Sequence, residues 1–352
     1  MTGRAAATVR VIAINLGLLL AGLLAVELIF GAWFSAVGLS PVRVTRDIRL
    51  VYDARNYYAE GGTFEYRRDR HGLRGSYRSV EAIDILAVGG STTNELYVGE
   101  GLTWTDVLAA SFRAGGRAVD VVNAGIDGQS TVGHLRNFED WFPTIPGLKA
   151  RYILAYIGIN DVHVEAQSRY DDVAALDGWG RFHRWVSDRS AIYRLQRTIK
   201  GGLSARRARV LHADVDWSRL TWQEVSLPEV GAVADADRAR IDAYGMRVKA
   251  LIERIRAFGA QPIIVTQHRG TYRREGQRLW VVSDAGLGDF AAQSLFNRRA
   301  MDVCREQAAI CVDLGAGIEF QPGDFQDYVH TTPQGSRRVG EFLYARLKDV
   351  VR

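Results

Sequence analysis

Five short apolar runs, each broken by turn-forming residues, recur along this chain and restrict its fold more than any other feature. They are IDILAVGG (83–90), AVDVVNAG (118–125), RYILAYIGIND (151–161), AQPIIVTQ (260–267) and AICVDLG (309–315). Their length and their share of Val and Ile suit buried strands. Between them lie segments with helical spacing, TWTDVLAASFRA, IDAYGMRVKALIERIRAFG and FNRRAMDVCREQ. In the second, Ile241, Tyr244, Val248, Leu251, Ile252 and Ile255 recur every three or four residues. Short, mainly apolar strands that alternate with helices predict a parallel sheet covered on both faces. Ligands of such sheets bind just beyond the carboxyl ends of the strands.

The first ~40 residues stand apart. From Val11 to Val26 there is no charge, and the apolar character runs on past Glu27 to Phe34. That length suits one helical crossing of a bilayer. Trp33 and Phe34 would then sit at the interface, and Glu27 would lie near the outer end, within reach of headgroups. A cleaved signal peptide and a buried core helix are the competing readings. The expected layout is a transmembrane anchor over 1–38, an irregular juxtamembrane stretch over 39–80 and a catalytic domain over 81–352. That domain carries an insert at about 162–230 containing Trp179, Trp185, Trp217 and Trp222, which suits a lid, a sugar-stacking surface or a small packed subdomain. Arginines flank the apolar run on both sides, so the charge rule gives no orientation. A short N-terminal tail usually stays in the cytoplasm, so a single-pass protein with its domain on the periplasmic side is expected.

With 352 residues, 47% of them hydrophobic, the chain is long enough for a sizeable core. The net charge of +5 comes from scattered arginines and not from one basic tract, which argues against nucleic acid as a partner. Cys304 and Cys311 flank a helix end and a strand start; both a disulfide and two buried thiols fit. No Cys/His set has metal-ligand spacing, so neither a metal nor a cofactor is expected.

The residues after the strands carry the chemistry. Strand one ends in Gly90-Ser91, strand two in Asn123-Ala124-Gly125-Ile126-Asp127-Gly128, strand three in Gly158-Ile159-Asn160-Asp161. After the fifth comes DYVHTTPQG, with Asp327 three residues before His330. Taken singly, each has a plain reading as a capping turn, a polar turn or a surface histidine. A phosphate loop is disfavoured because GxxxxGK[ST] is missing.

In order, these blocks resemble those of the SGNH (GDSL-type) hydrolase superfamily, whose four blocks supply a serine, a glycine, an asparagine and a histidine. The resemblance covers about residues 80 to 350, apart from the insert. It implies a flavodoxin-like three-layer α/β/α sandwich with a mainly parallel sheet. It also implies a catalytic set of Ser91, Asp327 and His330, with Ser91, Gly128 and Asn160 forming an oxyanion hole. One departure stands out: the family usually has Asp just before the serine, where this chain has Gly90. The Gly-Gly-Ser-Thr form on a tethered chain is similar to proteins of bacterial envelope polysaccharide metabolism.

The roles follow from physical chemistry too. A serine hydroxyl needs a base to take its proton, and neutral imidazole serves near neutral pH. A carboxylate at the other ring nitrogen fixes the tautomer. His163 and Arg269 are candidate substrate-binding residues near the rim, each with a surface-residue alternative. The expected activity is a serine esterase that removes O-acyl (acetyl) groups from an extracytoplasmic saccharide, or that acts on another small ester. An O-acyltransferase with the same residues, or a non-catalytic saccharide-binding assembly component, are the alternatives. The oligomeric state is left open.

Overall fold

The computed structural model describes residues 2–34, 42, 44–58, 61–164, 178–207, 212, 215–225, 235–276, 278–282 and 286–352. Parts of the expected anchor (35–38), juxtamembrane stretch (39–41, 43, 59–60) and insert (165–177, 208–211, 213–214, 226–230) lie outside the described residues.

From the N-terminus the elements are α1 (Thr2–Phe30), β1 (Ile48–Asp53), β2 (Thr63–Arg68), β3 (Ile83–Gly89), the one-turn α2 (Ser91–Asn94), α3 (Trp104–Ala114), β4 (Val121–Gly125), α4 (Thr131–Asp140) and β5 (Ala150–Tyr156). Then come α5 (Gly178–Ser187), α6 (Ala191–Arg207), β6 (Trp222–Val225), α7 (Asp235–Ala257), β7 (Gln261–Val265), β8 (Tyr272–Glu275), β9 (Arg278–Val282), α8 (Gly286–Glu306), β10 (Ile310–Val312), α9 (Leu314–Gly317) and α10 (Pro333–Leu347). They form two compact units: Met1–Pro41 with Asp172–Arg207, and Val42–Asp171 with Ala208–Arg352.

The larger unit is built on a five-stranded sheet in the order β4-β3-β5-β7-β10, parallel throughout. Numbered along the chain, that order is 2-1-3-4-5, the flavodoxin-like arrangement, and the expected three-layer fold is the fold found. Ile85 pairs with Val121 on one side and Tyr152 on the other, and Leu154 pairs with Ile263. Alternate strand residues Ile85, Ala87, Leu154, Ile263 and Val265 pack with Trp104, Leu108 and Phe112 of α3 and with Val339, Leu343 and Leu347 of α10. Across the sheet, α7 buries Tyr244, Val248, Leu251, Ile252 and Ile255, five of the six residues marked by their spacing, while Ile241 is half-buried. Each such aliphatic contributes about 1.5–3 kcal/mol of burial.

The stretch expected to be irregular after the anchor contains the antiparallel β1–β2 hairpin. Its inward side chains include Tyr66 and Arg68, both buried. A buried arginine in place of an apolar residue breaks the alternation by which strands are read. A second antiparallel sheet, β6-β9-β8, closes over Tyr272, Leu279, Val281 and Phe290. Cys304 of α8 and Cys311 of β10 are joined in a disulfide.

In the smaller unit, α1 holds the apolar stretch Ala7–Phe30, with mean hydropathy 2.3 and side chains exposed rather than packed into a core. It is long and apolar enough to cross a bilayer, and a signal sequence has the same character. Glu27 does not end in open solvent. It accepts hydrogen bonds from the Ser190 hydroxyl (2.5 Å), the Ala191 and Ile192 N–H groups (3.0 and 3.1 Å) and the Trp33 indole (2.9 Å). A carboxylate at the first turn of α6 answers both its unpaired donors and its dipole.

Candidate active site

Three strand ends converge at the switch point of the sheet. β3 is followed at once by α2, whose single turn begins with Ser91 and closes at Glu95 in the left-handed conformation (φ 52°). Ser91 therefore stands at the strand's carboxyl edge, 7% exposed. Its neighbours are tied down. The Gln267 side-chain amide donates to Thr92 Oγ1 (2.8 Å), and Gln267 Oε1 accepts from the Ile159 N–H (2.7 Å). One glutamine beyond β7 thus fixes both the serine turn and the asparagine turn.

His330 lies on the loop before α10, which Thr332 caps and Pro333 opens. The Ser91 hydroxyl donates to His330 Nε2 at 2.8 Å, and His330 Nδ1 pairs with Asp327 Oδ2 at 2.7 Å. Asp327 also accepts the N–H groups of Val329 (2.9 Å) and His330 (2.8 Å). Burial pushes the Asp327 carboxyl up, but His330 and these hydrogen bonds outweigh it and hold the group below its usual value. Asp327 and His330 are 1% and 2% exposed. A hydroxyl, an imidazole and an ionised carboxylate in one hydrogen-bonded line can relay a proton from the hydroxyl to the ring.

The other sequence-marked residues lie on the turns that follow the strands. Gly128 lies in the exposed turn after β4 at φ 74°, a conformation that favours glycine. Asn160 follows β5, and its amide donates to the Gln129 carbonyl at 2.8 Å. A Cβ on Gly90 would lie 2.5 Å from Asn160 Nδ2, so the asparagine amide occupies the space beside the serine that a side chain at position 90 would need. Asp161 anchors the same rim by accepting the Thr131 N–H (3.1 Å) and hydroxyl (2.6 Å), and Arg247 donates to Thr131 Oγ1 (3.0 Å). Asp127 is held by the Asn94 amide at 2.7 Å; Asn94 Oδ1 accepts from Tyr66 (2.7 Å) and from Arg68 of the hairpin. Arg269 is buried and donates to Asp289 of α8 at 3.1 Å, while His163 is exposed at the end of the turn after Asn160. His268 packs among Tyr272 and Phe320.

Sequence reasoning missed His212. Its ring lies on that of His330, centroids 3.8 Å apart and planes 24° from parallel, with Nδ1 3.9 Å from Asp327 Oδ2. Tyr97 meets its edge at 4.7 Å. Burial first, and then the neighbouring His330, push His212 down to about 3. Nothing in the sequence marks it, because the insert has neither period nor motif. His212, Asp327 and His330 place ligand atoms within 4.8 Å of one another. Near-parallel stacked rings point their nitrogen lone pairs side by side, however, which fits a tetrahedral ion poorly.

Beside the Asp327–His330 loop is a cavity of about 330 Å³ lined by Trp217, Trp222, Tyr272, Arg273, Phe320 and Phe325, among others. Trp217 packs edge-on against Tyr328 at 6.0 Å, next to Asp327.

The GDSL-like lipase/acylhydrolase family model matches residues 87–338. By structure the chain is similar to an acetylxylan esterase from Geobacillus stearothermophilus, at 14% identity, 78% of this chain, 95% of that one and TM-score 0.43. It is also similar to an alpha/beta hydrolase from the metagenome of Lake Arreo, Spain (14%, 77%, 98%, 0.41), and to TesA (14%, 76%, 98%, 0.41). No match was found among curated proteins.

Proposed function

This chain belongs to the GDSL-like lipase/acylhydrolase family and is a carboxylic ester hydrolase, and we propose that Ser91 is its nucleophile, His330 its base and Asp327 the partner that orients the base. The observation that carries this reading is the unbroken line from Ser91 Oγ to His330 Nε2 and from Nδ1 to Asp327. Ser91 Oγ attacks the ester carbonyl as its proton passes to His330 Nε2. The Ser91 and Gly128 N–H groups and the Asn160 amide hold the oxyanion. Collapse returns the proton from Nε2 to the leaving alcohol and leaves an acyl-enzyme. Water, deprotonated by the same nitrogen, then releases the acid and frees Ser91.

The substrate in this reading is an O-acylated, chiefly O-acetylated, saccharide outside the cytoplasm. The aromatic cavity supports the saccharide, since indole and phenyl faces suit the apolar face of a sugar ring. The apolar helix α1 as anchor and the Cys304–Cys311 disulfide support a compartment beyond the cytoplasm, where disulfides persist. Residues 1–38 are then the tether, and the unit starting near residue 42 does the chemistry.

A fluorophosphonate probe should label Ser91 in wild-type protein and nothing in folded Ser91→Ala. Folded wild-type protein that takes up no probe would overturn the assignment. A short acyl ester incubated with candidate glycans, followed by mass spectrometry, separates acid release from transfer to a glycan. Transfer in excess of release would replace the esterase reading with an acyltransferase.

A further inference from the structure

The smaller unit carries two helices whose apolar faces are bare. On α5, Trp179, Phe182 and Trp185 are 45–72% exposed, and their rings follow one another at 5.7 and 6.2 Å. Spacing of three along a helix keeps them within about one third of its circumference. On α6, Leu195, Ile199 and Leu203, spaced by four, form one stripe and are 54–59% exposed. Arg194, Arg197 and Lys200 lie away from that stripe, also exposed. An isolated helix of this length is marginal in water, and baring its apolar side adds to the difficulty.

The same unit says what covers it. Glu27, near the end of α1, receives the first N–H groups of α6, so α6 departs from the level at which the apolar helix ends. There Trp33 meets Trp185 edge-on at 5.8 Å, and the Arg189 guanidinium lies over the Trp185 ring at 4.9 Å. The Ala32 N–H bonds the Arg189 carbonyl at 2.9 Å. Tryptophan and arginine gathered at the end of a spanning helix mark the depth where hydrocarbon gives way to headgroups. Helices that leave from that depth with aromatic and leucine faces on one side and basic residues on the other have the make-up of helices that lie in the interface.

We infer that α5 and α6 lie in the bilayer interface beside α1, with Trp179, Phe182, Trp185, Leu195, Ile199 and Leu203 in the acyl boundary and Arg194, Arg197 and Lys200 among anionic lipid headgroups. The inference rests on α1 being an uncleaved anchor. It gives that anchor a second, parallel hold on the membrane. Glu27, the one charge between Val11 and Phe30, is then a joint between the spanning helix and the surface helices.

The test uses the full chain in vesicles of phosphatidylcholine and phosphatidylglycerol. Nitroxides are attached in turn at Leu19→Cys, Leu195→Cys, Ile199→Cys and Arg197→Cys; the native cysteines are joined and do not compete. Positions 195 and 199 should be reached better by oxygen than by a water-soluble nickel chelate, and position 197 the reverse. Positions 195 and 199 as open to the chelate as 197, with position 19 deep in lipid, would overturn the inference alone. An aqueous position 19 means that the anchor reading has failed. Unlabelled protein gives an independent reading. Lipids brominated near the headgroup should quench part of the tryptophan emission, and most of that quenching should vanish in the Trp179→Phe, Trp185→Phe double variant. Quenching should weaken when phosphatidylglycerol is left out; equal quenching would remove the anionic headgroup from the proposal.

Discussion

His212 lies face to face with His330, ring centroids 3.8 Å apart. The covering ring stays neutral at any pH well above 3 and so adds no charge beside the imidazolium that forms during acyl transfer. Its flat face also limits how far the base can turn away from Ser91 and Asp327. His212→Ala should lower kcat about 10-fold or more with KM little changed, since small misplacements of a reacting group are expensive in rate. His212→Phe keeps a flat face and should recover most of the loss. A phenylalanine variant as slow as the alanine variant would show that the ring nitrogens matter instead.

Asn160 contributes an amide already fixed by the Gln129 carbonyl. Asn160→Ala should reduce kcat by about 10²–10³-fold, the usual loss for one oxyanion donor, with the melting temperature within a degree or two of wild type. Unchanged turnover in a folded variant removes Asn160 from the site.

Glu95 is buried, and burial pushes its carboxyl up from 4.5 to about 7, against the pull of the Ser336 hydroxyl, the Trp104 N–H, Arg74 and Thr331. A carboxyl raised in the folded state favours folding in its protonated form. Stability is therefore full below pH 4.5, falls as pH rises toward 7, and is level above that. The loss is about 3 kcal/mol from this group alone. Glu95→Gln should flatten the decline between pH 5 and 7 in a denaturant-midpoint series, whatever its absolute stability. A slope equal to that of wild type would mean that Glu95 ionises normally.

The Cys304–Cys311 bridge closes a short loop, with a sequence separation of seven. Loops of that size contribute about 2–3 kcal/mol. Dithiothreitol should lower the melting temperature by about 5 °C, and Cys304→Ser should melt there with or without reductant. A melting curve indifferent to reductant would contradict the bond.

The sheet was legible because its strands are buried on both faces. Ile83–Gly89, Val121–Gly125, Ala150–Tyr156, Gln261–Val265 and Ile310–Val312 each read as a short, mainly apolar run, and none needs knowledge of its neighbours. The residues at their ends were legible for the same reason, because strand ends locate a rim. What escaped was held by long-range polar contacts. Arg68 is buried because it reaches Asn94 and the Gly125 carbonyl. Gln267 matters because it spans two turns that are far apart in the chain. Glu27 read as a headgroup-facing carboxylate, and apart from Trp33 the partners it has are more than 160 residues away. Such pairings leave no local period.

The vacancy at Gly90 also sets what its neighbour can do. The family's usual aspartate has a Cβ, and here that atom would come 2.5 Å from the Asn160 amide. An aspartate at position 90 would therefore push a proposed oxyanion donor aside. The two positions trade space: the amide keeps its place beside the serine as long as residue 90 has no side chain.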